Sequence, residues 1–168
     1  MRLITGGRYQ GKSKYAKKLA DDILLNREKE MAVSKSSSAL CLDPVNRETA
    51  ELIRLNSMTS FYESCRHALI LDHCEVLVEM LLAHYDIDAL SIDELSARLM
   101  GVFEEIIRVQ PEMIFVMAEL GCGVVPIDRR LDCIREQCGR ISYELAARAV
   151  SVDRLTCGIP QRIAEKDR

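Results

Sequence analysis

The sequence predicts a three-layer α/β fold with a mostly parallel sheet, and three observations carry that expectation. Short runs such as Leu69-Ile70-Leu71 and Met113 to Met117 are apolar throughout, the mark of strands buried on both faces. Amphipathic helical periods alternate with those runs, which is the order of parallel units with right-handed crossovers. A glycine-bearing turn joins the first apolar run to the first helical period, giving strand, loop, helix. At 168 residues, 48% hydrophobic and 29% charged, the chain suits one domain over residues 1–168 with one core.

Taken in order, Met1 to Thr5 reads as a buried strand, followed at Ser13 by a helix whose apolar face is Tyr15, Leu19 and Ile23. Residues 28–60 are less legible: Met31-Ala32-Val33 has strand character, Ser34 to Ser38 is a polar loop, and Pro44 to Leu55 resembles a helix. Ala68 to Leu71 is a strand ending in Asp72, and Val76, Leu77, Met80 and Leu81 mark the helix after it. Ser91 followed by Glu94 is a capping box opening a helix to Val109, which Pro111 punctuates. Met113 to Met117 is a strand, Glu119 to Gly123 a loop, Ile127 to Val150 a long helix, and Val152 to Cys157 the last strand. In parallel sheets ligands bind at the C-terminal ends of the strands, where residues 6–13, Asp72 and residues 119–123 all emerge.

The net charge of -3 gives no broad basic surface for nucleic acid, although a local anion site is compatible with it. Seven cysteines without a CxxC pair fit neither a disulfide framework nor a zinc site and read as free thiols in a reducing cytoplasm. No apolar run reaches the ~18 residues of a membrane span, and the first residues are too short for a signal peptide.

Gly6-Gly7-Arg8-Tyr9-Gln10-Gly11-Lys12-Ser13 matches GxxxxGK[ST] at every fixed position, with a strand before it and a helix after it. The glycines let backbone N–H groups approach phosphate oxygens, and the helix N-terminus adds partial positive charge. Lys12 is placed to reach the β- and γ-phosphates of ATP or GTP, and Ser13 to offer its hydroxyl to Mg²⁺. The layered fold and this loop together define a P-loop NTPase fold.

A metal bound to those phosphates calls for a carboxylate at another strand end, and Asp72 is the candidate, weighed against mere solvation or helix capping. Glu75, one turn further on, either assists it or faces solvent. Glu119-Leu120-Gly121-Cys122-Gly123 is by position alone equally a ligand loop or a tight structural turn.

Beyond the loop, Leu71-Asp72, the stretch Ala118-Glu119-Leu120-Gly121 to Gly123-Val124-Val125-Pro126, Arg135, Gly139-Arg140, Ala146-Ala147 and Gly158 resemble the adenosylcobinamide kinase/adenosylcobinamide-phosphate guanylyltransferase family. The resemblance implies Mg²⁺, ATP or GTP as phosphate donor, and the aminopropanol hydroxyl of a corrinoid, adenosylcobinamide, as acceptor. It also implies Glu119 as a site residue with Lys12 and Asp72, and a homo-oligomer, usually a trimer. Guanylyl transfer in that family runs through a histidine after the second strand, in a His- and Arg-rich segment followed by Trp. Here no His precedes His67, no Trp occurs, and Ala118, Ser142 and Tyr143 replace the family's Asn, Asn and Gln. His67 and His73 flank the Asp72 strand, and incidental polar positions are their simpler reading. The expectation is a kinase without guanylyl transfer; the alternative is a regulatory or non-catalytic nucleotide-binding paralogue.

Overall fold

A computed structural model describes residues 1–31, 40–54, 57–121 and 123–166. Six strands form one sheet in the order β2-β3-β4-β1-β5-β6. They are β1 (Arg2–Gly6), β2 (Cys41–Leu42), β3 (Ile70–Leu71), β4 (Ile114–Val116), β5 (Ser151–Thr156) and β6 (Ile159–Glu165). Every pairing is parallel except the last, β5 with β6. The helices are α1 (Lys12–Met31), α2 (Arg47–Arg54), α3 (Met58–His67), α4 (Cys74–Leu82), α5 (Ile92–Val109) and α6 (Arg129–Arg148).

Strand side chains alternate between the two faces and so build two cores. Ile4, Ile70, Ile114, Val116 and Leu155 pack with Ala16 and Ala20 of α1 on one face. Leu3, Leu71, Phe115 and Val152 face a larger core in which Ile53, Phe61, Leu77, Phe103 and Ile141 represent α2 to α6. The fold is therefore three-layered, as expected, with α1 covering one face and the other five helices covering the opposite one. Tyr15, Leu19 and Ile23 of α1 pack against the smaller core as their spacing predicts. Ser91 caps α5 in a complete capping box, its hydroxyl accepting from Glu94 N–H at 3.2 Å and its own N–H donating to the Glu94 carboxylate at 2.9 Å.

Several elements differ from expectation. Met31 ends α1 instead of opening a strand, and residues 32–39, which include the rest of that expected strand and the polar loop, lie outside the described residues. The second strand is instead Cys41–Leu42, too short at two residues to leave a periodic signal. The helix expected from Pro44 to Leu55 occupies Arg47–Arg54, and a further helix, α3, fills the stretch from Met58 to His67. A sixth strand follows the one expected to be last: Cys157 and Gly158, at φ 51° and 79°, form a two-residue turn that sends β6 back antiparallel to β5. All of β6 is exposed, so it has no buried alternation to read. Its tie to the sheet is polar, with Arg162 opposite Asp153 and donating Nε–H to that buried carboxylate at 2.5 Å.

Candidate active site at the strand ends

The parallel strands deliver their C-terminal ends to one edge of the sheet. The phosphate loop leaves β1 there and enters α1 at Lys12. Gly6 at φ 141° and Gly11 at φ 83° adopt backbone conformations that L side chains rarely take. A Cβ on Gly6 would sit 2.4 Å from the carbonyl oxygen of Leu155 on the neighbouring β5, so glycine is required by contact as well as by φ. The Lys12 ammonium folds back over the loop and donates to the Gly7 carbonyl at 2.9 Å. Burial holds its pKa below the ordinary lysine value, against the opposing pull of Glu75, Asp72 and Glu119. The side-chain amide oxygen of Gln10 accepts from Cys157 N–H, which fastens the loop to the β5–β6 turn.

A cleft of about 530 Å³ lies against the loop and is lined by Arg8 to Lys14 on one side and by Asp72, His73, Glu75, Val76 and Ala118 on the other. The loop residues Arg8, Tyr9, Gln10, Gly11, Lys12 and Ser13 all line it, while Gly6 and Gly7 build the turn behind them. Asp72, only 4% exposed, follows β3 and stands across this cleft. Its Oδ1 accepts the N–H of His73, the residue just before α4, at 2.9 Å, without capping the helix itself.

Glu75 does not face solvent. It is buried, and its Oε2 accepts the N–H of Ala118 at 2.9 Å, bracing the end of β4 against α4. Glu119 follows β4, with its own N–H bonded to the Gly6 carbonyl at 3.0 Å. Its carboxylate accepts from Arg154 at 2.8 Å and from the Thr5 hydroxyl at 3.5 Å. Its backbone is therefore tied to the strand that carries the phosphate loop, while its side chain reaches across β1 to β5. Gly121 and Gly123 are exposed, and a Cβ on either would meet nothing within 4 Å, so neither glycine is required by a neighbouring wall.

Asp43, beside the cleft, escapes sequence reasoning, and so does its meeting with His73. Asp43 follows β2 as Asp72 follows β3, and the parallel register Leu42 to Leu71 sets the two aspartates side by side. His73, in left-handed backbone at φ 48°, places Nδ1 3.0 Å from Asp43 Oδ1 and 3.8 Å from Asp72 Oδ1. An ionised carboxylate only accepts, so Nδ1–H donates to Asp43. The ligand atoms of Asp43, Asp72 and His73 all lie within 4.8 Å of one another. Carboxylate oxygens from Asp72 and, beside it, Asp43, with the Ser13 hydroxyl on the opposite wall of the cleft, are the hard donors that Mg²⁺ takes. The residues present fit that ion.

His67 lies at the end of α3, pairs with Glu63 at 3.4 Å and does not line the cleft. The third histidine, His84, sits 3.2 Å from the Ile53 carbonyl beyond α4. Among the described residues no helix is long and apolar enough to cross a membrane.

The family model described as cobinamide kinase / cobinamide phosphate guanyltransferase matches residues 46–163, well over half of the chain. Asp72, Glu75 and Glu119 fall inside the matched span, while the phosphate loop precedes it. No curated protein matches the chain.

Proposed function

The chain belongs to the cobinamide kinase / cobinamide phosphate guanyltransferase family of cobalamin biosynthesis, and from that premise we propose that it is a single-domain kinase that phosphorylates the aminopropanol hydroxyl of adenosylcobinamide with ATP or GTP. The supporting observation is the facing pair of walls: Lys12 and Ser13 on the phosphate loop, Asp72 buried across the cleft. The loop amides and Lys12 hold the triphosphate and offset charge that grows on the γ-phosphoryl oxygens during transfer. Ser13 and Asp72 would hold Mg²⁺, which when bound would supply further neutralisation of phosphate charge. Glu119, which follows the cleft-lining Ala118, orients the acceptor arm. Positioning supplies most of such catalysis, and the bracing of Ala118 by Glu75 and of Glu119 by Gly6 keeps those parts in register.

Guanylyl transfer is absent from this reading, because no histidine stands in residues 40–66 after β2, where the family's covalent intermediate forms. His73 is the one histidine lining the cleft, so any covalent adduct would localise there. A second reading, a nucleotide-binding regulator without cobinamide chemistry, draws support from Ser142 and Tyr143, which replace the family's usual residues. The exposed edge strand β6 offers a surface for the homo-oligomer that the family implies.

A thermal-shift and turnover panel of ATP and GTP, each with and without adenosylcobinamide, separates these readings. The kinase reading predicts stabilisation by Mg-nucleotide, further stabilisation by adenosylcobinamide, and formation of its phosphate ester. Nucleotide binding with no response to adenosylcobinamide and no ester would instead establish the regulator.

A further inference from the structure

A second cavity, of about 510 Å³, lies on the α6 side of the sheet. Leu3 and Val152 form its floor, Cys138 and Ala146 of α6 its wall, and Tyr143 and Ile163 its rim. The lining is mostly apolar, yet the rim leaves Tyr143 74% and Ile163 58% exposed. Large apolar side chains held in water around an apolar groove mark a surface that a ligand covers.

The groove and the phosphate-loop cleft meet at Ala118, which lines both, and Thr5 and Glu119 stand on the groove side of that junction. We infer that this groove is the acceptor site, taking an apolar edge of the cobinamide macrocycle while its aminopropanol arm runs past Glu119 and over Ala118 to the phosphates at Lys12. The inference rests on the kinase reading, since only a phosphoryl acceptor has to adjoin the nucleotide. In-line transfer requires the hydroxyl beside the γ-phosphate, so the acceptor must enter from a cavity that opens on the cleft. At 510 Å³ the groove admits part of a corrinoid and leaves the remainder outside, consistent with its open rim. The Ser142 hydroxyl and the Arg135 guanidinium, both lining it, supply polar partners for the amide groups at the macrocycle's edge.

Another cavity touches the cleft, through Val76, between α2 and α4. Arg54, Glu79 and Arg130 give it a charged lining, and it opens on the cleft from α4, away from the strand ends that carry Thr5 and Glu119. The more apolar groove at Ala118 therefore fits an apolar macrocycle better.

Gly139 of α6 allows the groove to be filled without disturbing the fold. A Cβ there meets nothing within 4 Å, and leucine is a better helix former than glycine. Gly139→Leu is expected to raise the KM for adenosylcobinamide by about tenfold or more, with kcat and the nucleotide KM changed by less than about twofold. Equilibrium dialysis, read by the visible absorbance of the corrinoid, should show the same loss of binding. Ala83→Leu, an exposed position in the cavity at Val76, should leave all these values unchanged. Unchanged acceptor KM and binding in Gly139→Leu, or a rise in Ala83→Leu instead, would overturn the assignment. A wild-type protein that binds nucleotide but neither binds nor phosphorylates adenosylcobinamide would remove the kinase reading itself, and this assignment with it.

Discussion

Lys12 sits half-buried among opposing influences, with burial favouring its neutral form and the carboxylates of Glu75, Asp72 and Glu119 favouring its charge. A triphosphate adds negative charge on the open side of the same ammonium, so nucleotide binding and the charge of Lys12 reinforce one another. Lys12→Ala removes a charged hydrogen-bond donor worth about 2 kcal/mol, equivalent to roughly thirtyfold weaker nucleotide binding. Calorimetric titration should show that loss, and a turnover assay should show no product. Lys12, Ser13 and Asp72 were legible because motif and strand-end position each constrain a single residue. Glu75 was not, since a residue one turn into a helix faces core or solvent according to the packing of β4 against α4. Asp43, and the placing of His73 against it, escaped for another reason. Their meeting depends on the register of β2 with β3, and two-residue strands leave no pattern from which to read it.

At the scale of the element, the junction between β1 and the phosphate loop is the most constrained part of the chain. Gly6→Ala would force a methyl group into the Leu155 carbonyl at a φ that alanine disfavours, and is expected to destabilise the fold by about 2 kcal/mol or more. Urea unfolding measures that loss, and the same variant should bind nucleotide poorly when folded. The cap of α5 is a gentler test: Ser91→Ala should cost about 1 kcal/mol, with nucleotide affinity unchanged because that helix end is remote from the cleft. Strands with a neighbour on each side, such as β1 and β4, were legible as apolar runs, and α5 and α6 by their periods. The hairpin strand β6 was not, since it carries no buried residue and is held by backbone pairing and by Arg162 on Asp153. Its one sequence signal was Cys157-Gly158, a two-residue turn whose glycine tolerates positive φ.

For the molecule as a whole, the larger core buries three thiols that report on its integrity. Burial pushes the Cys65 and Cys138 thiols up to about 12, and Cys74 well above its ordinary value. The thiolate is the reactive form, so at about pH 8 an alkylating reagent should spare these three until the protein unfolds. Cys157, exposed in the β5–β6 turn, should react first among the described cysteines. Peptide mapping after brief labelling checks this order. The same sheet that encloses those thiols sends β1, β2, β3 and β4 out at one edge, where residues separated by more than a hundred positions share a cleft. The layered architecture and the sheet edge at which the cleft lies were therefore legible from alternating strands and helices, whereas the shape of the proposed acceptor groove depends on α6 lying over β1 and β5. The central claim is that this cleft moves the γ-phosphoryl group and leaves the nucleotide behind. Parallel reactions with GTP labelled at the α- or the γ-phosphorus, each with adenosylcobinamide and Mg²⁺, measure that directly. The account predicts γ-label in the corrinoid and no α-label in either corrinoid or protein; α-label covalently bound to the protein, or transferred to the corrinoid, would contradict it.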